Sequence, residues 1–501
     1  MSPSTTRAPR RAQAAPFPLL AGLVAALLLA GCASSRGLEP QLTATDADTL
    51  VSARSLGGTS LSAADFPQAD WWTAFADPQL DALIDEALRD SPSLAAADAR
   101  ARSARAQAGL ADAQRKPTLA ASARVSGVQL PATLVPEQLG GEFKASNVLM
   151  LNFAWAPDLW GGQRATFEAA AGQARAAEVD AQAARLTLSA NIARTYIALA
   201  QAFDTQDVAT REQARASRLR ELAAQRVEAG LDNQLQLRNA DTSIGIAGQQ
   251  VQAAQQQIDA LRNALAALLG KGPDRGLDIA RPQVLQAAAP NVPAVLPSEL
   301  LGRRADVVAA RWRVEAAARG VDAAQAAFKP SVNLSALVGL AAGNLSDLFG
   351  SDAALGLGGP AISLPIFDGG RLRAGLSQRD ADYDLAVASY NQTLVTGLRE
   401  ATDALQSARA FDAQIATVSE AAEAARQAFA LADTRYQAGL GNQLDVLAAQ
   451  RPLFQLEQQL AALRAQRLGA AVDLDRALGG GLAPTAPTSS STHDIAGATT
   501  P

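Results

Sequence analysis

One cysteine and one histidine in 501 residues remove much of protein chemistry at the outset. With Cys32 alone, no intramolecular disulfide can form. His493 falls in a terminal stretch, residues 480–501, whose Ala/Pro/Ser/Thr/Gly composition predicts disorder. Histidine-based catalysis and histidine metal sites are therefore excluded, and no nucleophile–base constellation supports a hydrolase. Aromatic residues make up only 4% of the chain, which suits a bulky globular core less well than closely packed long helices. A net charge of −5 argues against a nucleic-acid footprint. The Gly-Gly pairs at Gly161-Gly162 and Gly369-Gly370 lack the Lys-Ser/Thr continuation of a phosphate-binding loop. The apolar run at residues 17–30 is shorter than the roughly 20 residues a transmembrane helix needs.

What is present is alanine. Hydrophobic residues reach 48%, dominated by Ala, a mixture suited to long helices packed closely through small side chains. Arg7, Arg10 and Arg11 precede the short apolar run, which ends in Leu29-Ala30-Gly31-Cys32. This predicts a secretory signal over residues 1–31, with residues 32–69 a polar linker behind it.

From there the hydrophobic period sets the elements. Asp77-Pro78 starts a helix with Leu80, Leu83, Ile84 and Leu88 on one face, and a second helix over 93–116 is stopped by Pro117. Residues 118–128 and 147–157 alternate with period two and predict a β-hairpin of membrane-strand length, joined by a loop over 129–145. Asp158 and the pair Gly161-Gly162 form the strand-to-helix turn. A proline-free run of strong helix formers over 163–229 then predicts one helix of about 100 Å. Gly230 ends it, a return arm spans 235–269, and a Pro-rich linker occupies 271–297.

The pattern then repeats. A helix over 304–329 ends at Pro330, strands follow at 331–341 and near 354–364, and Asp368, Gly369 and Gly370 make the second strand-to-helix turn. A long helix runs to Ala438, and its return arm ends near Gly479. Equivalent points keep a nearly constant distance: 213 residues from Pro117 to Pro330, 208 from Gly161 to Gly369, 209 from Gly230 to Gly439. The chain is an internal duplication of residues 70–270 and 298–479, mainly α with membrane β, each half a β-hairpin plus a long helical hairpin. Four strands cannot close a barrel in lipid, where every backbone group must be paired, so a membrane reading requires several chains around one axis.

The LAGC stretch, the DWWTAFADPQLDALIDEAL segment, Arg303-Arg304-Ala305-Asp306-Val307, the two Lys-Pro junctions, the PIFDGGR turn and the tips VEAGLDNQLQL and YQAGLGNQLDVL together resemble the TolC-like outer membrane efflux family, most closely its NodT-type lipoproteins. Ala305 departs from that pattern, which has proline after the arginine pair. The resemblance implies a lipid-anchored homotrimer, with a 12-stranded β-barrel continuous with a 12-helix tunnel. LAGC resembles a lipobox, so Cys32 would carry a covalent lipid, the only prosthetic group expected, and Ala33 favours sorting to the outer membrane of a Gram-negative cell. The implied partners are outer membrane lipid, a periplasmic adaptor and an inner-membrane efflux pump.

Gly230 and Gly439 are glycine-terminated helix reversals by sequence. The resemblance adds that Leu231 and Leu440 at these tips dock an adaptor. It also places Asp445 at a closed periplasmic entrance, with Arg435 and Tyr436 locking the closed state. Three symmetry-related Asp445 carboxylates would favour cations; a helix-start Asp favouring the N-terminal dipole is the alternative. The family's second aspartate is Ala448 here. The expected function is a passive exit duct without an enzymatic step, and a lipid-anchored coiled-coil scaffold or adaptor without a pore is the rival.

Overall fold

The computed structural model describes residues 35, 37–46, 49–50, 54–55, 60–62, 68–129, 131, 143–286, 295–297 and 302–480. The signal segment, Cys32, His493 and the tail beyond residue 480 lie outside the described residues. The chain divides into two units, one containing Ala104–Gln173 and Arg313–Val387, the other Ala44–Ser103, Ala174–Trp312 and Ala388–Pro501.

The second unit holds the bulky core. A short strand β1 (Ser60–Ser62) is followed by a tight helical turn, Trp71–Phe75, and helix α1 (Pro78–Asp90). Asp77 caps α1 by accepting from the backbone N–H groups of Gln79 and Leu80 at 3.0 and 3.3 Å, and Pro78 fills the first turn, where no donor is needed. Leu80, Leu83, Ile84 and Ala87 are buried, the face that spacings of three and four define. Trp71 and Trp72 are packing residues, both buried beside Phe75. Tyr196, fully buried, donates its hydroxyl to the Asp77 carboxylate at 3.0 Å and accepts from Gln79 Nε2 at 2.7 Å.

Helix α2 (Pro92–Ala113), strand β2 (Thr118–Gln129) and strand β3 (Phe143–Trp155) follow. β3 begins four residues earlier than the alternation suggests, because Phe143 through Ser146 continue the ladder opposite Gln129 through Ser126. Helix α3 (Gly162–Glu228) is 67 residues long and α4 (Gln234–Leu268) is 35. Where it is described, the segment expected as a linker at 271–297 is packed instead. It holds helix α5 (Asp274–Leu277), buried Ile279, Val284 and Leu285, and strand β4 (Val295–Pro297), which pairs in parallel with β1.

The second repeat reproduces the first: α6 (Ala305–Ala326), β5 (Ser331–Ala342), β6 (Ala354–Ser363), α7 (Arg371–Gln437) and α8 (Gln443–Ala477). The two long helices match at 67 residues, and their return arms at 35. Arg304, buried just ahead of α6, donates to the Ala477 carbonyl at 3.2 Å and to the carboxylates of Asp306 and Glu400 at 2.7 and 2.9 Å. It ties the start of α6 to α7 and to the end of α8.

Away from the bulky core, burial recurs every seven residues on small side chains. Ala209, Ala216 and Ala223 are buried on α3, Ala240, Ala247 and Ala254 on α4. A seven-residue period with alanine at the seam lets helices approach closely along their length.

The first unit carries one antiparallel sheet of order β2-β3-β5-β6. β3 and β5 join the two hairpins across the duplication. Register aligns Leu119 with Phe153 and Ala336, Ala121 with Leu151 and Val338, and Ala123 with Leu149 and Leu340, so one sheet face is apolar from β2 to β5. The opposite face mixes in Ser122, Asn152 and Arg124, with Asn152 donating to Ser122 at 3.2 Å. β2 and β6 are open edges.

Candidate functional site

The two helical tips lie in the second unit and share one backbone design. At the end of α3, Gly230 has φ +71°, its N–H donates to Val227 O at 3.1 Å, and the Leu231 N–H reaches back to Arg226 O at 2.8 Å. At the end of α7, Gly439 has the same φ, its N–H donates to Tyr436 O at 3.0 Å, and the Leu440 N–H reaches Arg435 O at 2.8 Å. This left-handed cap satisfies the last helical carbonyls and requires glycine at its centre. An asparagine then starts each return arm. Asn233 accepts from the N–H groups of Leu235 and Gln236; Asn442 accepts from Asp445 N–H at 3.1 Å.

The side chains set the tips apart. In the first, Arg226 pairs with Asp232 at 3.2 Å. The equivalent of Asp232 in the second tip is Gly441, so Arg435 turns to the Leu440 carbonyl, donating at 3.3 Å. Asp445 replaces Gln236 and completes a capping box, its carboxylate accepting from Asn442 N–H at 3.2 Å. Within one chain, Asp445 thus holds the start of α8, and Arg435 braces the turn itself. Tyr436 is exposed just before the turn. Leu231 and Leu440 stand out at the apices with 68% and 72% of their surface open, an apolar cost only a partner would remove.

Sequence patterns missed a clasp beside the second tip. Arg215 on α3 donates to the Leu447 carbonyl at 3.2 Å and pairs with Glu212 at 2.6 Å. Arg211 pairs with Glu457 at 2.7 Å and lies 5.1 Å over the Phe454 ring. The Gln443 amide, with its oxygen turned toward α3, accepts from Arg218 Nε at 2.7 Å. One face of α3 therefore grips the first four turns of α8. Within that stretch Pro452 interrupts the α8 backbone ladder, a break the first arm does not carry. Nothing local marks these arginines as a clasp, since their partners on α8 lie more than 200 residues away.

The strand-to-helix turns sit in the first unit. Asp158 accepts from Arg164 N–H at 2.7 Å, and Asp368 accepts from Gly370 and Leu372 N–H at 3.1 and 2.8 Å, so both aspartates cap helices. Gly161, Gly369 and Gly370 take positive φ, but Gly162 does not. It is the first residue of α3, and a Cβ there would come within 2.8 Å of Ala326 Cβ. That glycine serves close helix packing rather than the turn.

Comparison with known proteins agrees with this architecture. The family model described as Outer membrane efflux protein matches residues 83–271 and 296–480. The chain is 36% identical to the fusaric acid resistance protein FusA of Burkholderia cepacia, over 72% of this chain and 69% of that one. It is 32% identical to the multidrug resistance outer membrane protein MdtP of Escherichia coli, over 84% and 88%. The crystal structure of the outer membrane protein VceC of Vibrio cholerae superposes with a TM-score of 0.76 at 38% identity, covering 83% of this chain and 100% of that one. With a duplicated hairpin architecture and a family model matching both halves, the chain belongs to the outer membrane efflux protein family.

Proposed function

We propose that this protein is the exit duct of a tripartite efflux system, conducting small molecules passively through the outer membrane. The observation that carries the reading is the four-stranded sheet with open edges at β2 and β6 and an apolar face from β2 to β5. Unpaired strand edges are not tolerated in lipid. Three copies give 12 strands, enough to close a barrel, and three sets of α3, α4, α7 and α8 give a 12-helix tunnel. The relatives named for multidrug and fusaric acid resistance support export of toxic small molecules.

The duct performs no chemical step; an inner-membrane pump supplies the energy. Cys32 carries the lipid that anchors the mature chain. Asp445, Arg435 and Tyr436 form the periplasmic gate, and the tips at Gly230-Leu231 and Gly439-Leu440 dock the adaptor, whose contacts must favour the open tips to drive opening. A photo-crosslinking amino acid at Leu231 and at Leu440, followed by purification from the native membrane, tests the docking. An adaptor cross-linked from both positions is expected. Labelled tips that recover none would remove the docking role.

A further inference from the structure

The duplication provides its own control at the two Lys-Pro junctions where helices give way to strands. In the first repeat Lys116 precedes Pro117, and its ammonium pairs with Asp112 at 2.6 Å. In the second repeat Lys329 precedes Pro330, but the residue equivalent to Asp112 is Gln325. Among the described residues Lys329 has no carboxylate partner. Its ammonium instead lies 5.2 Å over the Trp160 ring, whose indole N–H donates to the Pro330 carbonyl at 2.5 Å.

This difference opens onto a cavity of about 630 Å³ lined by Trp160, Arg164, Glu168, Arg319, Gln325 and Lys329 among others. Two carboxylates are already engaged: Glu168 by Arg164 at 2.7 Å and by Arg319 at 3.2 Å, Asp322 by Arg319 at 3.0 Å. Three cations face two anions, so the cavity carries one uncompensated positive charge, on Lys329. Lys329 on its lining is two residues from the start of β5, and Trp160 and Phe328 give it an aromatic wall. Aromatic side chains beside a free cation, at the end of a membrane strand, are the chemistry of the lipid headgroup layer.

We infer that this cavity binds the headgroup of an anionic phospholipid, its phosphodiester on Lys329, its glycerol on Gln325, and its upper chain against Trp160 and Phe328. The equivalent lysine of the first repeat, Lys116, is held by Asp112, so each protomer is assigned one lipid, at Lys329. The inference rests on the strands lying in the membrane, as the duct reading requires. A diacylglyceryl group on Cys32 carries no phosphate and would not satisfy Lys329.

Full-length protein, delipidated in detergent, is titrated with phosphatidylglycerol and with phosphatidylcholine under native mass spectrometry. Wild type is expected to prefer phosphatidylglycerol by about fivefold, the value of one basic residue at an anionic surface. Lys329→Gln should erase the preference. Gln325→Asp, which recreates the Asp112–Lys116 pair, should erase it with the lysine still present. Phosphatidylglycerol binding by both variants at wild-type strength would overturn the site. Inorganic phosphate bound as tightly as the lipid would assign the cavity to a free anion and overturn it equally. Bilayer conductance is recorded in parallel: a pore-forming protein whose variants keep the preference overturns the lipid site alone, whereas a wild type with the predicted preference but no pore overturns the duct and leaves the site standing.

Discussion

At the scale of single residues, two carboxylates, Asp77 buried and Asp475 half-buried, behave in opposite ways. Asp77 is fully engaged: it caps α1, accepts the Tyr196 hydroxyl, and accepts from Gln283 N–H at 3.3 Å. Burial pushes the Tyr196 hydroxyl well above the ordinary tyrosine range, so it stays a donor at any working pH. Asp77→Ala removes a cap and orphans that hydroxyl, and is expected to cost about 2–4 kcal/mol, read as a lowered thermal midpoint by circular dichroism. Asp475 has no such company. It continues the buried seven-residue line of Leu447, Phe454, Ala461 and Leu468 on α8, and desolvation pushes its pKa up to about 7. The native state then binds a proton that the unfolded chain, with a carboxylate pKa of about 4, has already released. Stability relative to Asp475→Asn should fall as pH rises from about 4 to 7 and level off above that. Paired melting curves at pH 5 and pH 8 check this; a variant that tracks wild type at both would refute it.

At the scale of elements, the long helices were legible and their fastenings were not. Strong helix formers without proline over 163–229 fixed a 67-residue helix to within a residue, and Gly230 and Gly439 marked both reversals, because these signals are local. The parallel pairing of β1 with β4, the packing of Ile279 and Val284, and the grip of Arg211 and Arg215 on α8 all join distant segments, and periodicity says nothing about which ones. Gly162 was misread for the same reason, since its closeness to Ala326 is a tertiary fact. At the second tip the capping box gives Asp445 a structural duty beside the proposed charge-based one. The two separate by substitution. Asp445→Asn keeps an acceptor for Asn442 N–H and removes the charge, so cation selectivity should drop with little change in stability. Asp445→Ala should also lose about 1 kcal/mol of helix start. Reversal potentials in a salt gradient report the first effect, melting the second. Equal selectivity in wild type and Asp445→Asn would leave Asp445 as a cap alone.

At the scale of the whole molecule, the open edges of a four-stranded sheet and the alanine seams of the long helices make the same demand for partners of the same kind. A sheet with free β2 and β6 edges is incompatible with lipid until neighbours cover them. Helices whose buried positions are largely Ala209, Ala216, Ala223 and their like bury little apolar area each, so close neighbours along their length must make up the difference. Single-channel recording of the purified full-length protein in planar bilayers tests this account most directly. Discrete openings of one uniform size are expected, more frequent when Arg435→Ala frees the second tip from the Leu440 carbonyl. Bilayers that stay silent with wild type, Asp445→Asn and Arg435→Ala alike, from protein that is folded and trimeric, would contradict the duct.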